Sequence, residues 1–479
     1  MRTPCVLLSV LTLSACSNWV AHVPAPSALG RQQAFTTLPQ GVEAQPLPQD
    51  WWHLYRDPVL DGLVRQALAH NRDLAAAQAH VQAMLAGLRQ ADAERWPSTE
   101  LALGASYGKT ADDQTLAKAT GNDAPSQWEF NPGVELAYQV DLWGQVQKTI
   151  ERAQAQAEQA QAAQDLMRIN VVGQTTRAYV SACALGARSQ VQRQSLDAVE
   201  HSVRLIERQR QGGVATDLEV SRMQALQGQT QAVLPMLDAR RQSALYELAM
   251  LTGSAADVAL NCTQVPQLAA PLPVGEGWAL LARRPDIRQA QRQLQADALG
   301  VDIAQADLYP KVTFGATLTS SSHALHELGD SSSVMFGVGP LISWQFPNQQ
   351  ANRARVAQAK AIEQGSLARF DGQVLKALME VRQSLALYNG ERQRHQALQR
   401  ATTSSEQAYD LAQRNYQAGA LDFLDVLDSE REWIGLQAQL ADADGQLVQR
   451  QVALFRALGG GWQSAAAPTV SEFSQGSQP

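Results

Sequence analysis

Apolar residues alternate with small or polar ones in two separate regions of the chain, about 98–142 and 311–344. This period of two predicts β-strands with two unlike faces. Each region holds two such runs of roughly ten residues, the length that a tilted strand needs to cross a bilayer. The alternating positions are Leu101, Leu103, Ala105 and Tyr107; Val134, Leu136, Tyr138, Val140 and Leu142; Val312, Phe314, Ala316 and Leu318; and Val334, Phe336, Val338, Ile342 and Trp344.

Two details of these regions carry further predictions. Pro340 interrupts the last run and predicts a bulge or strand end, because proline cannot donate a ladder hydrogen bond. The segments between paired strands, about 108–130 and 321–333, are rich in Gly, Ser, Asp and Thr and predict surface loops.

Helical periodicity dominates the rest of the chain. The segments at about 58–95, 145–211, 217–252, 286–308 and 349–417 predict helices, and the two longest would each reach about 100 Å. Apolar seams with 3,4 spacing mark coiled-coil packing: Leu196, Val199, Val203 and Ile206 in one, and Val374, Leu378, Val381, Leu385 and Tyr388 in the other. Both long segments end at glycines, Gly212-Gly213 and Gly419, so we expect helical hairpins whose turns lie far from the strands.

An internal duplication organises these elements. Asp286 follows Asp73 by 213 positions, and Pro310 follows Pro97 by the same number. A second set of matches, Arg208, Gly213 and Leu218 with Arg414, Gly419 and Leu424, repeats at an offset of 206. The period is too long for a solenoid unit and indicates two similar half-subunits.

Four strands cannot close a membrane barrel on their own, because an open edge in lipid leaves backbone groups without partners. Several copies must pool their strands if the sheet lies in a membrane; two copies give eight and three give twelve. The alternative is a small soluble sheet packed on the helices.

The amino terminus indicates export. Arg2 precedes an apolar run, Val6 to Leu13, that is too short to span a bilayer as a helix but suits a secretory signal. Leu13-Ser14-Ala15-Cys16 resembles the lipobox of bacterial lipoproteins, which implies cleavage before Cys16, acylation of its thiol and, with Ser17 following, sorting to the outer membrane. The alternative is an ordinary signal peptide with an incidental cysteine.

The amino-acid composition narrows the possible classes of protein. With 18% charged and 6% aromatic residues among 479, and long Ala/Gln-rich stretches, the chain is typical of helical coiled coil. A net charge of −7 offers no basic patch for nucleic acid. After the signal no apolar run reaches the length of a spanning helix, so a membrane crossing would have to use strands. Cys183 and Cys262, which remain after processing, make no disulfide framework, and their spacing indicates no metal site.

The sequence gives little support for a catalytic function. His323 and His326 lie three apart in a predicted loop, without carboxylate or cysteine partners, which argues against a metal site. The chain contains no glycine-rich phosphate loop, Gly-x-Ser-x-Gly elbow or His-Glu-x-x-His motif. We therefore expect neither an enzyme nor a bound cofactor.

A family resemblance covers nearly the whole mature chain. The stretches that carry it are Tyr138 to Gly144 (YQVDLWG), Arg283 to Ile287 (RRPDI), Ser343 to Asn348 (SWQFPN), Tyr416 to Gly419 (YQAG) followed by Asp422 to Asp428 (DFLDVLD), and Ala457 to Trp462 (ALGGGW). In this order they resemble the outer-membrane efflux factors of the TolC-like superfamily, in particular the lipoprotein branch called NodT. The resemblance implies a homotrimer with a twelve-stranded barrel, a twelve-helix periplasmic tunnel and an equatorial belt. It also implies outer-membrane lipid around the barrel and docking to a periplasmic adaptor, or membrane fusion protein, and an inner-membrane pump of the RND type.

The domain boundaries follow from the repeats. We expect a signal peptide at 1–15, a lipidated amino-terminal extension at 16–57, a first repeat at 58–252, an equatorial linker at 253–275, a second repeat at 276–458 and a tail at 459–479.

One helix face near the second glycine turn is a candidate aperture. Leu424, Asp428 and Arg431 are spaced four and three apart and share a face, which trimer symmetry would turn into an apolar ring and an acidic ring that gate by dewetting and charge. These positions and Asp425 match the family's constriction motif, which implies Tyr416 and Arg431 as partners that hold the mouth closed. Asn415 departs from the arginine of some relatives. The alternative is an ordinary solvated helix face.

The turns themselves are candidate docking sites. Gly212, Gly213 and Gly419 are expected to ring the periplasmic mouth, where a pump or adaptor could bind.

Two other functions stay open on the sequence alone. A periplasmic coiled-coil adaptor is also a lipoprotein with Ala/Gln-rich helices, but it usually carries one helical hairpin rather than two. A structural outer-membrane tether would lack a channel.

Overall fold

The computed structural model describes residues 42–43, 45, 47–255, 260–268, 271–274 and 283–460. The predicted signal peptide, the lipidation site at Cys16 and the tail from 461 onward lie outside these residues, as do parts of the linker at 253–275.

Helices make up most of the described chain. They are α1 (Pro58–His70), α2 (Arg72–Ala93), α3 (Ala111–Ala119), α4 (Gln145–Gln211), α5 (Asp217–Ala232), α6 (Leu234–Leu251), α7 (Pro285–Ala306), α8 (Gln350–Gln417) and α9 (Phe423–Ala457). No helix among them is both long and apolar enough to cross a membrane.

Two segments predicted as single helices are broken. Asn71 separates α1 from α2 with an extended backbone, and its side-chain oxygen accepts a hydrogen bond from the Leu74 amide at 3.0 Å. Val233 separates α5 from α6, where Pro235 lacks the N–H that would continue the helix.

The strands form two sheets in the described residues. β2 (Ser98–Gly108), β3 (Gln127–Val140), β5 (Lys311–Ser320) and β6 (Val334–Ser343) pair antiparallel in the order β2-β3-β5-β6. A second sheet pairs β1 (Val42–Glu43) with β4 (Leu272–Pro273) in parallel. The four strands predicted from alternation are thus all present.

Two expectations about this sheet are wrong. Pro340 lies opposite Phe314 within an unbroken register, so it makes neither a bulge nor a strand end. The pairing of β6 with β5 continues on both sides of Pro340, so the missing N–H does not interrupt the strand. The predicted loop at 108–130 contains α3, because Thr110 and Asp113 form a reciprocal capping box at its start.

The chain divides into two compact units. Among the described residues, the strand unit comprises 82–159 and 290–370, and the helix unit comprises the rest. The main hydrophobic core belongs to the helix unit. Trp51, Trp52 and Tyr55, from the segment assigned to the amino-terminal extension, pack into this core with residues such as Leu60 and Phe455.

The duplication is visible in matched contacts within the helix unit. The side chain of Asn71 donates to the Leu251 carbonyl at 3.0 Å, and Arg284, 213 positions later, donates to the Ala457 carbonyl at 2.7 Å. Ser189 donates to Asp238 at 3.0 Å, and 206 positions later His395 pairs with Asp444 at 2.6 Å. The first hairpin (α4, α5 and α6) and the second hairpin (α8 and α9) are therefore packed alike.

One expectation about the cysteines is also wrong. Cys183 and Cys262 form a disulfide, with Cα atoms 4.8 Å apart and 79 residues of separation. Arg241 donates to the Leu260 carbonyl at 2.6 Å, which brings the linker against the first hairpin. Sequence spacing gave no signal of this pair, since the contact depends on how the linker folds back onto α4.

Candidate functional site

Both hairpins turn through a glycine in the left-handed region. Gly213 has φ of +72° and Gly419 has φ of +73°, a conformation that strongly favours glycine. Carbonyls at the ends of α4 and α8 accept from residues beyond each turn: the Val214 amide donates to Gln209 at 2.9 Å and the Ala420 amide donates to Asn415 at 2.8 Å. These bonds satisfy carbonyls that a helix end leaves free.

Side-chain caps then start the returning helices. Thr216 and Glu219 form a capping box at the start of α5. The Asp422 carboxylate accepts from the Phe423 amide at 2.7 Å at the start of α9. These caps satisfy backbone N–H groups that a helix start leaves without partners.

A hydrophobic cluster lies beneath the turns. Its buried members come from both hairpins: Val199, Val203, Ile206, Val220, Met223, Leu226, Phe423 and Leu427. Phe423 and Leu427 thus anchor the first turns of α9 to the first hairpin.

Tyr416 links the two turn regions. Its hydroxyl donates to Gln209 Oε1 at 3.0 Å, and its ring meets Phe423 edge-on with centroids 5.8 Å apart. Burial raises the pKa of Tyr416, so the hydroxyl keeps its proton and remains a donor. The family-implied partner is therefore in contact with the first hairpin.

The candidate aperture residues share an exposed face of α9. We call Leu424, Asp425, Asp428 and Arg431 the aperture face. Leu424 is 39% exposed, and the Asp428 and Arg431 side chains are 78% and 41% exposed. Arg431 Nη1 lies 4.0 Å from Asp428 Oδ1, at the outer limit for an ion pair. At this distance and exposure the pair is weak and screened by salt.

Glu430 lies on the opposite side of the same helix turn. It is 1% exposed, and its carboxyl accepts from Ser202 of α4 at 3.3 Å and hydrogen-bonds Tyr409 of α8. Burial raises the pKa of Glu430. Burial also raises the pKa of Tyr409, to about 12, and the nearby Glu430 charge adds to this shift.

The sequence did not single out Glu430. Periodicity offered one usable signal: a carboxylate two residues after Asp428 must leave the aperture face and turn inward. The partners that satisfy it, Ser202 and Tyr409, come from two other helices and have no pattern of their own.

In the part of the chain that the structure describes, no group of three or more His, Cys, Asp or Glu side chains is placed to hold a metal ion. His323 contacts Gln127 Nε2 at 2.9 Å and the Trp128 carbonyl at 3.1 Å. The expectation that it has no carboxylate partner is wrong, because Asp113 Oδ1 lies 3.4 Å from its Nε2. Acidic and apolar groups on one face can instead influence the passage of solutes when several copies surround an opening.

Comparisons with known proteins identify the family. The family described as outer membrane efflux protein matches residues 63–254 and 279–460. The chain is 30% identical to the pyoverdine export outer membrane protein OpmQ of Pseudomonas aeruginosa, over 97% of this chain and 98% of OpmQ. It is 27% identical to the probable outer membrane lipoprotein SilC of Salmonella typhimurium, over 95% of this chain and 98% of SilC.

A solved structure indicates the same family. The outer-membrane channel OprN is 30% identical to this chain and matches with a TM-score of 0.83, covering 92% of this chain and 99% of OprN. The resemblance noted from the sequence motifs is confirmed, together with the duplicated, mainly helical fold class. The chain belongs to the outer membrane efflux protein family, whose members are channels rather than enzymes, and it is the outer-membrane component of an efflux system.

Proposed function

We propose that three copies of this chain form a gated duct, with a twelve-stranded barrel and a helical tunnel, that carries small molecules from the periplasm to the exterior. Within the described residues, β2 and β6 each pair on one side only, which leaves two open edges per copy. An open edge in lipid costs several kcal/mol for each unpaired backbone group, so joining edges between copies is strongly favoured.

The residues of the aperture face form the proposed gate. Leu424, Asp425 and Asp428 point away from the buried layer of α9 and are free to face the same group on other copies. Three copies would place acidic rings and an apolar ring in a narrow opening, where desolvation strengthens their effect on ions. Arg431, only weakly paired with Asp428, would partly offset the acidic charge.

In this proposal, contacts between the two hairpins of each copy keep the opening closed. The Tyr416 hydroxyl reaches Gln209 of the first hairpin, and Glu430 reaches Ser202. Opening would require the end of α8 and the first turns of α9 to leave these partners. Each of these hydrogen bonds contributes about 0.5–1.5 kcal/mol, and the burial of Phe423 and Leu427 against the first hairpin adds to the stability of the closed state.

The glycine turns are the proposed docking points for a periplasmic adaptor and an inner-membrane pump. Val214 and Leu218, which follow Gly212 and Gly213, are 77% and 59% exposed, and apolar side chains at a turn suit a protein partner. Gly419 is the equivalent point of the second hairpin.

Lipidation at Cys16 belongs to the same proposal. It is supported by the lipobox-like Leu13-Ser14-Ala15-Cys16 and by the name of SilC, a probable outer membrane lipoprotein. A multiply acylated terminus would give stable membrane attachment. We propose no particular exported compound, since pyoverdine is named for OpmQ and not for SilC.

The proposal is tested with purified, lipidated protein in a planar bilayer, with its mass measured in the same detergent. Small channels, closed most of the time, from a particle of three chains are expected. A monomer without conductance would favour an adaptor or a tether and contradict the proposal.

A further inference from the structure

A cavity of about 170 Å³ lies within the helix unit, where the linker at 253–275 meets the second hairpin. Its lining comes from Tyr388 of α8, from four residues of α9 and from linker residues that include Leu268 and Leu272. Gln267 also lines it and is exposed, so solvent reaches the cavity. A volume of this size holds about five waters, at about 30 Å³ each, or one small organic molecule.

Two polar layers mark the ends of this cavity. In one layer, Asp444 lines the cavity and its Oδ1 lies 2.6 Å from His395 Nε2. In the other, Tyr388 and Gln451 are each only 6% exposed, and Gln451 Oε1 accepts from the Tyr55 hydroxyl at 3.3 Å. Asp444 and Gln451 are two helical turns apart on α9, about 10 Å along its axis. The stretch of α9 between the layers lines the cavity with apolar side chains, Leu447 and Val448.

Both layers offer the cavity polar atoms that have no partner. Among the described residues, Asp444 Oδ2, the Gln451 amide nitrogen and the Tyr388 hydroxyl make no hydrogen bond. Burial raises the pKa of Tyr55, so its hydroxyl keeps its proton and goes on donating to the Gln451 oxygen. Buried polar groups are costly without partners, so these three atoms favour a polar molecule in the cavity.

The duplication shows what the same place looks like when it is filled. At an offset of 206, Ala182 and Leu245 of the first hairpin stand where the second hairpin has Tyr388 and Gln451. Ala182 and Leu245 are buried in an apolar cluster, and Leu260 of the linker packs against it. The linker therefore meets apolar side chains on the first hairpin and a polar cavity on the second.

The charge at the acidic layer also differs between the hairpins. Asp238, the equivalent of Asp444, lies 3.3 Å from Arg193. Gln399 occupies the position equivalent to Arg193, so Asp444 lacks this cation. Arg392, on the same face of α8, is not among the residues that line the cavity. The carboxylate of Asp444 is thus free to bind a positive charge from outside the chain.

We propose that this cavity binds a short linear organic cation, with a protonated amine at Asp444 and a neutral hydrogen-bond acceptor, such as a hydroxyl, at Gln451 and Tyr388. A carboxylate oxygen accepts from an ammonium group in a charge-assisted hydrogen bond. The Gln451 amide nitrogen and the Tyr388 hydroxyl can donate at the other end, and Leu447 and Val448 suit the methylene chain between. The site lies within one chain, so it does not depend on how many copies assemble.

Isothermal titration calorimetry on the full-length protein in detergent tests the cation. The probe is aminobutanol, whose amine and hydroxyl lie at opposite ends of the carbon chain. Butanediol, which has a hydroxyl in place of the amine, is the neutral control of the same length. Aminobutanol should bind saturably, one molecule per chain, and at least about tenfold more tightly than butanediol, because hydrogen bonds to charged groups are the stronger ones. Absence of saturable binding, or equal affinity for the two probes, would overturn the proposal.

A pair of matched variants tests the carboxylate. Asp444→Asn keeps a hydrogen-bonding group beside His395 but removes the charge, and should weaken aminobutanol binding at least about tenfold. Asp238→Asn, the equivalent change in the first hairpin, should leave the affinity unchanged. Equal weakening by both variants, or by neither, would place the amine elsewhere and contradict the site. Circular dichroism shows whether each variant folds, and the comparison of probes on the wild type decides the question if Asp444→Asn does not.

Tyr388→Phe tests the other end of the ligand. It removes one hydroxyl and should weaken aminobutanol binding by about two- to tenfold, the effect of one hydrogen bond. Pentylamine, which carries a methyl group in place of the hydroxyl, should bind the wild type and Tyr388→Phe alike. An equal loss for both amines would contradict the proposed orientation.

Discussion

The two hairpins share a backbone plan but fill their turn ends with different side chains. In the first hairpin the interior positions are Val199, Val203, Ile206 and Met223, all at most 7% exposed. The equivalent positions of the second hairpin hold Ser405, Tyr409, Ala412 and Ser429. At these four positions the first hairpin is wholly apolar, whereas the second hairpin holds two serines, a tyrosine and an alanine.

This difference indicates which hairpin is free to move. Apolar side chains packed at native density resist displacement, because each loses transfer free energy and leaves a cavity. Hydrogen-bonded groups such as Glu430 can exchange protein partners for water at smaller net cost. We therefore infer that the first hairpin is the fixed wall and the second is the movable part of the aperture.

The largest expected effect comes from breaking the apolar end. Met223→Ala should lower the free energy of unfolding by about 2–5 kcal/mol, because Met223 is fully buried. The matched change in the second hairpin, Ser429→Ala, should cost at most about 0.5 kcal/mol. Denaturant unfolding followed by circular dichroism measures both. Equal losses would mean that the two ends are packed alike.

The disulfide is a second difference between the hairpins, since Asn389 occupies the position equivalent to Cys183. Replacing Cys183 by Ala and Cys262 by Ser should lower stability by about 2–4 kcal/mol, because the bond closes a long loop in the unfolded chain. Thermal unfolding with and without reductant measures this. Reductant should lower the midpoint of the wild type and not of the variant; a wild type insensitive to reductant would exclude a structural bond.

The variant Glu430→Gln tests the comparison through the pH dependence of the free energy of unfolding. Burial raises the pKa of Glu430, so the folded chain binds more protons than the unfolded one above the pKa of a free carboxyl, about 4.3. Its contribution to stability is present at low pH and falls as pH rises through this window. The glutamine variant should not show this fall and should gain on the wild type towards neutral pH.

The control for this pH effect is Glu432→Gln, which removes an exposed carboxylate from the same helix. Unfolding free energies of the three proteins from about pH 4 to 7 make the comparison. Parallel curves for wild type and Glu430→Gln would show that Glu430 is ionised in both states alike.

The smallest expected effect is at the contact between the turns. Tyr416→Phe removes one hydrogen bond to Gln209 and should weaken the closed state by about 0.5–1.5 kcal/mol, seen as longer channel open times. Gln209→Ala should do the same, and the double variant should add little to either. Additive effects would mean that the two residues act separately.

The sequence predicted the elements that depend on local periodicity. The long helices, the four strands and the seam at Val374, Leu378 and Val381 follow from spacing alone, and all three of those seam residues are buried. Family motifs located the aperture face on α9. These residues are exposed on α9, as either a gate or a solvated helix face would be, and their role as a gate stays a prediction.

Features that depend on distant contacts were missed. The Cys183–Cys262 bond needs the linker to fold back onto α4, and Glu430 needs Ser202 and Tyr409 from separate helices. Helix α3 was missed for a different reason: the Thr and Asp residues that indicated a loop are its caps. Polar residues at a helix start and in a loop look alike in sequence.

The most direct test of the account is the single-channel conductance of Asp428→Ala with Arg431→Ala, compared with Arg222→Ala at the position of the first hairpin equivalent to Asp428. A movable aperture on the second hairpin predicts increased ion flow from the double variant and wild-type conductance from Arg222→Ala. Unchanged conductance in the double variant, or the same increase from Arg222→Ala, would contradict it.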